Sequence, residues 1–551
     1  MAQLTTYKYE NGHVKAEGNL AQGIEQGEWK FWDKEGHLVQ QVTYLDGEFN
    51  GAYTSYYENG EKKEAGFFKE DHIHGPFTTY FSNGSVESTG YYYMGYKDSL
   101  WTSFYKDGGK YEIGFYKKDV RDSLWLGYYS NGSEKSKISY NEGERNFIEF
   151  IDQAGKVTLK DGNGSFQDFW VNGKFKEKGA FENGVRSGDW AQWTKKGVKI
   201  LQGKYVNNKR EALWIQYHEN GKPLSTGNYK LDLKEGDWMY FYINGQQSKS
   251  LHYSEGKENG PYGEWFKTGE ISTTGFYSDG EKSGHWIWKF KSGLKDFEGD
   301  FVNGKRNGMW MFYFSDEEKV EYQGLFENGK KSGKWTYKYR SGKVWKEGPY
   351  LNGKKSGIWT FYAENGNKTM QGEFLEGKEN GLWKSWYDDT KAKSEGSFVK
   401  GMMNGEWKGW YENGKNNFIG HYKNELKEGT WQHWYPSGQM ELSENYLEGI
   451  AHGNRTYWFE NGNKKEEGFY EKGVKTGPWT FYHENGNKQM ECAFTNDRLD
   501  GEAIEYYEIG TKSAVKSYKG GVKEGKWTFY GKREDEILKT VSFKNGLQVD
   551  K

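Results

Sequence analysis

Asp71-His72-Ile73-His74 places two imidazoles where they could share a zinc ion, but tetrahedral closure needs a third and a fourth ligand, and nearby sequence supplies none. A surface turn is the expectation there. Cys492, the single cysteine, stands where most sibling segments carry glycine, so a small packed side chain is expected rather than a nucleophile activated by a neighbouring base. The run Gly520-Gly521-Val522-Lys523-Glu524-Gly525-Lys526 has the glycine content of a phosphate loop but lacks the helix whose N-terminus would hold the phosphate. Acidic and basic residues interleave as solvated cross-strand ladders do. The residues offer no nucleophile and base in register, no metal set and no cofactor motif, so the expectation is a protein that is not an enzyme and uses no cofactor and no metal.

Binding is better served. Trp386, Trp410, Trp434 and Trp458 recur at intervals of 24 residues, and tryptophan is favoured at the centre of binding surfaces. They are the candidate partner-binding residues; the alternative is that they only stiffen the second face of a sheet.

The element that must position them is a repeat. A Gly-x-Trp signature returns every 24 residues from Gly27-Glu28-Trp29 to Gly525-Lys526-Trp527, giving 22 units. A fixed period of this size marks an array whose units bury apolar surface against their neighbours. With the first Gly as position 1, each unit reads as an aromatic strand, an Asn-Gly turn at positions 9 and 10, a charged strand, and a second turn near position 21 of Gly, Asn or Asp. Gly occupies position 10 in 19 of the 22 units, failing at Glu317, Thr390 and Glu534. Asn-Gly between extended runs predicts a type I′ turn with both central residues at positive φ. That register sets the aromatic of position 3 opposite the Gly of position 16, and the aromatic of position 18 opposite the Gly of position 1. Trp359 is therefore expected to cover Gly372, and Phe374 to cover Gly357, restoring contacts that bare glycines forfeit. The predicted fold is all-β: an elongated array of about 22 stacked hairpins joined into one continuous twisted antiparallel sheet.

Three places break the period. Residues 146–163 form a unit of only 18 residues in which Asn146, Phe147, Ile148, Phe150 and Ile151 replace Gly-x-Trp, a decayed repeat or a joint. One residue is added near Ser315-Asp316-Glu317-Glu318, and Lys532-Arg533-Glu534-Asp535-Glu536 replaces the last turn. The expected organisation is an N-terminal partial repeat or cap at 1–26, repeats at 27–145, the short unit at 146–163, repeats at 164–542 and a C-terminal cap at 543–551.

Composition agrees. Hydrophobic residues make up 34% of the chain and aromatics 18%, so rings do more than half of the packing. The 77 basic and 79 acidic residues nearly cancel, which argues against a nucleic-acid partner. Membrane binding through charge would need a Lys/Arg stripe, whereas Glu matches Lys along this sequence. A membrane lipid is therefore not favoured. Met1 to Tyr7 shows no signal-peptide pattern, and no window approaches a membrane span. The expected location is the cytoplasm, which suits a lone cysteine.

The unit Gly-x-Trp-x-x-Tyr/Trp-Tyr-Glu-Asn-Gly, followed by Gly-x-Phe/Tyr-x-x-Gly-Lys, as in Gly405 to Lys415 and Gly348 to Lys354, resembles the MORN repeat, and more closely the bacterial-type variant with the Tyr-Glu-Asn-Gly core. The resemblance runs from about Tyr7 to Gly546, and Asp98-Ser99 and Asp122-Ser123 depart from it only in lacking the glycine. It implies stacked hairpins and scaffolding of protein assemblies, with antitoxin or immunity function and binding of phospholipid headgroups as the alternatives it brings. The near-uninterrupted array and aromatic face themselves suggest protein partners or a homo-oligomer, and similarity to the aromatic-and-glycine hairpin repeats of cell-wall-binding modules adds polysaccharide as a further alternative.

Overall fold

Strands need residues that fit a pleated, half-buried surface, and turns need residues that tolerate positive φ; the 24-residue unit supplies both. The computed structural model describes residues 3–170, 172–533 and 536–549, and these contain strands and turns but no helix. The chain divides into two units, Met1–Gly269 and Glu270–Lys551. In the first, strands from Gln3–Lys8 to Lys257–Trp265 pair antiparallel along the chain; in the second, strands from Ile271–Ser278 to Leu547–Gln548 do the same. The all-β hairpin array expected from the period is present in both.

The expected register holds: Gly357 pairs with Phe374 and Trp359 with Gly372. The two turns have exchanged roles. Ala363 N donates to Asn367 O at 2.8 Å and Gly366 N to Ala363 O at 2.9 Å, so the Asn-Gly turn is a three-residue loop, with a register shift between Phe361 and Tyr362. Gly366 has φ +98, while Asn365 is not left-handed. This is a type I turn closed by a glycine bulge, not type I′. The true two-residue turn with both residues left-handed joins successive repeats: Glu376 (φ +52) and Gly377 (φ +86) lie between paired Leu375 and Lys378.

The covering partners also differ from expectation. Trp359 does not cover its opposite residue Gly372; its ring lies over Gly348, where a Cβ would come within 2.4 Å of it. Gly372 lies under Trp383, at 2.1 Å. Phe374 does not cover Gly357, whose nearest neighbour would be Pro349 Cγ at 3.2 Å. The indole explains the direction of lean. Trp359 Nε1 donates to Pro349 O at 3.0 Å, and Trp383 Nε1 to Glu373 O at 3.1 Å, so each ring reaches back ten residues to the preceding repeat for its acceptor. In doing so it crosses the strand at the glycine, eleven residues earlier. The aromatic at position 18 then meets the next tryptophan edge-on, as Phe374 meets Trp383 at 5.1 Å and 87°.

This pairing at a separation of eleven accounts for departures from the motif. Cys492 takes the glycine position and Ala503 the tryptophan position, both buried in one cluster; a larger floor is matched by a smaller cover. Val42 lies beneath Tyr53, also in one cluster. Gly at position 1 is needed for a different reason: Gly357 and Gly381 both have φ +64, where the ladder to the previous strand is interrupted. Ser99 (φ +61) and Ser123 (φ +58) hold the same geometry without glycine, which leaves the fold intact.

The ends follow the repeat. Within 1–26, strands Gln3–Lys8 and Val14–Ala21 form a hairpin with the regular three-residue turn, and no tryptophan stands in it. Within 543–551, Phe543 packs on Trp527 at 4.8 Å and pairs with Gln548; residues 550 and 551 lie outside the described residues, as do Glu534 and Asp535 of the irregular last turn.

Candidate interaction surface

The Tyr-Glu-Asn-Gly core fixes the rim from which the candidate stripe projects. Its asparagine uses both ends of the amide: Asn461 Oδ1 accepts from Asn463 N at 2.9 Å, and Nδ2 donates to Glu484 O, 23 residues on, at 2.8 Å. Its tyrosine does likewise one step earlier: Tyr387, Tyr411 and Tyr435 donate their hydroxyls to Trp410 O, Trp434 O and Trp458 O at 2.8, 2.7 and 2.8 Å. Each turn is thus tied to the next by two side chains, and the backbone of three stripe residues is held directly.

The side chains of the stripe are held by much less. Trp386, Trp410, Trp434 and Trp458 are all half-buried at position 6, and strand alternation sets them on the face opposite the buried tryptophans of position 3. At some repeats where position 6 is tyrosine, its hydroxyl reaches a side chain 15 residues earlier: Tyr482 donates to Glu467 and Tyr506 to Glu491, each at 2.5 Å, and Tyr56 to the Gln41 amide oxygen at 2.8 Å. Burial, and then the neighbouring carboxylate, push the Tyr482 and Tyr506 phenols up to about 12. The tryptophans face Gln371, Glu395, Ile419 and Ser443 at that offset, and no indole N–H bond or ring contact is made by any of the four among the described residues. Charges beside them are already paired, as Lys384 with Glu395 at 3.5 Å and Lys408 with Glu406 at 2.6 Å; the latter contact holds the Glu406 carboxyl below its usual range. The surface therefore offers flat rings with unused donors, framed by neutralised charge.

Residues 146–163 belong to the other unit of the chain. Phe147 and Phe150 are buried with Leu159, Phe166, Phe181 and Trp190 in one cluster. Ile148 O accepts from Gly162 N at 2.9 Å, Ile151 O accepts from the Tyr129 hydroxyl at 2.8 Å, and Phe147 N donates to Gly184 O at 2.9 Å. Asn146, with its amide turned to donate, reaches Asn183 O and Gly184 O. The short unit is thereby stitched across to the repeat beyond it.

The remaining candidates are occupied locally. His72 Nδ1 lies 2.6 Å from Glu70 O, and His74 Nδ1 accepts from Met94 N at 3.3 Å. Burial pushes the Cys492 thiol up to about 11. Gly520 N and Gly521 N donate to Asp500 Oδ1 and Leu499 O.

One feature escapes a reading of net charge. Lys and Glu interleave in sequence, but at most of the position-3 tryptophans a cation four residues earlier lands on the ring: in the first unit Lys97 on Trp101 (4.4 Å) and Arg121 on Trp125 (3.9 Å), in the second Lys331 on Trp335 (3.9 Å) and Lys475 on Trp479 (4.1 Å). Trp29, Trp383 and Trp407 follow Glu25, Glu379 and Met403 instead. These cations form rows interrupted at Glu25, Glu379 and Met403, and their charges rest on aromatic faces. Burial lowers Lys331, Lys355 and Lys427. The signal in sequence was the spacing of four.

A family model described as MORN repeat variant matches the chain at residues 25–46, 49–70, 73–92, 210–231, 331–352, 403–424, 427–448, 451–472 and 475–496. No curated protein matches. Among solved structures, the TcdB2-TccC3 crystal structure is matched at 10% identity and a TM-score of 0.13, over 96% of this chain and 30% of that one. A Photorhabdus luminescens Tc holotoxin pore is matched at the same identity and score, over 99% and 30%. The chain thus spans under a third of those chains, and likeness at that score carries no inference.

Proposed function

The chain belongs to the family of variant MORN repeats, and on that premise we propose that it is a non-catalytic scaffold that binds protein partners, a second copy of itself among the candidates, through the aromatic second face at Trp386, Trp410, Trp434 and Trp458. The observation that carries the reading is the contrast at position 6. Four tyrosines there, Tyr313, Tyr362, Tyr482 and Tyr506, spend their hydroxyls on carboxylates, whereas the four consecutive tryptophans keep their N–H donors and ring faces uncommitted. Half-buried tryptophans on a rigid backbone lose little entropy on binding, which is what an interface hot spot requires.

The test is affinity purification of the tagged full chain from its native host at low stringency, read by mass spectrometry, beside a variant with all four tryptophans changed to alanine. Light scattering on both proteins reports self-association. A stoichiometric partner, or a dimer, that is present in the parent and lost in the variant supports the surface. Binding that survives the four substitutions overturns it.

A further inference from the structure

The short unit brings together cations that lie four strands apart along the chain. Phe147 N donates directly to Gly184 O, so the strands Glu144–Ile151 and Val185–Trp193 approach across the 18-residue repeat. Their cations, Arg145 and Arg186, both line a cavity of about 420 Å³.

The charges around that cavity do not balance. Arg121 is paired with Glu112, and Arg186 with Glu177 at 2.8 Å. Lys135 and Lys176 share one carboxylate, Asp168, at 2.9 and 3.3 Å. Arg145 lies over the Phe147 ring at 4.7 Å and has no acidic partner among the described residues. Five cations thus face three carboxylates. In addition, Arg186 Nε is buried and donates to nothing.

We propose that this cavity is a binding site for a compact dianion, a phosphate monoester or a dicarboxylate, whose oxygens are held by Arg145 and Arg186 and whose apolar body lies against Phe147 and Phe166. An excess of two positive charges matches two negative ones, and a guanidinium fork is suited to either oxyanion. The rings lining the cavity favour an organic body over the bare ion.

Isothermal titration of the full chain at constant ionic strength, with inorganic phosphate, phenyl phosphate and succinate as probes, tests this. Saturable binding of at least one probe is expected, with phenyl phosphate tighter than inorganic phosphate if the site takes monoesters, and succinate tightest if it takes dicarboxylates. Arg145→Gln should weaken the preferred probe at least tenfold, and Arg145→Lys, which keeps the charge but loses the fork, should weaken it less. Arg210→Gln, which breaks a surface pair with Asp232 elsewhere, should change nothing. No binding of any probe, or binding equally strong in Arg145→Gln, overturns the assignment.

Discussion

Arg455 donates to Glu444 at 2.8 Å in the place where neighbouring repeats lay a tryptophan over a glycine. Glu444 is 5% exposed, and its other oxygen accepts from the Tyr446 hydroxyl. The separation is again eleven residues, so an ion pair has been exchanged for a ring on bare backbone in the same slot. Removing one member of such a pair strands a buried charge, at about 3–5 kcal/mol. Arg455→Trp alone should therefore destabilise by about that amount. Glu444→Gly with Arg455→Trp should recover most of it, because it rebuilds the sibling slot. Urea unfolding of the parent, both single variants and the double variant measures the coupling; additive effects would show that the two positions are not one unit.

The same slot in its usual form gives a second expectation. A Cβ on Gly372 would stand 2.1 Å from Trp383 Cδ2, and that indole is anchored to Glu373 O. Gly372→Ala should destabilise by about 1–3 kcal/mol through overpacking. Combined with Trp383→Ala, the alanine should cost less than it does alone, since Cys492 beneath Ala503 shows that a larger floor is accommodated by a smaller cover. Equal penalties in the two backgrounds, read from unfolding midpoints, would refute the steric account.

How much of this could be read from sequence depends on the range of the physics. The period, the strands and the register follow from residues within one hairpin, and Gly357 opposite Phe374 was legible for that reason. Which glycine a tryptophan covers was not, because the decision lies with the indole N–H, whose acceptor sits in the previous repeat. The Asn-Gly turn misled in the same way. Asn461 is retained for what its amide does to Glu484 O and not for a left-handed backbone. The stripe at Trp386 to Trp458 was visible as a spacing, whereas the Arg145–Arg186 cavity depends on a contact across the shortened repeat that no local pattern announces.

Backbone strain supplies a third prediction. Thr390 takes the closing position of its turn at φ +73, where the sibling repeats have glycine, and Ala212 takes position 1 at φ +57. A β-branched residue is strained there, and alanine less so. Thr390→Gly should stabilise by about 1 kcal/mol and Ala212→Gly by less, the gain being reduced by the entropy glycine adds to the unfolded chain. Denaturation midpoints that fall in both variants would mean that the left-handed geometry is not strained as described.

His433 makes stability depend on pH in a defined direction. It stacks on Trp431 at 6.1 Å and 25°, and burial, followed by the charge of Lys427, lowers its pKa from the ordinary 6.5. The folded protein therefore holds this imidazole neutral where the unfolded chain would protonate it. With more protons bound in the unfolded state, stability rises with pH across the interval between the two pKa values. The contribution is present above pH 6.5 and is lost as pH falls through the lowered folded value. His433→Phe keeps a ring on Trp431 and removes the titration. Its thermal midpoint should match the parent's near pH 8 and exceed it near pH 5, the gap opening as pH drops below 6.5. A constant gap across that range would place the acid sensitivity on other groups.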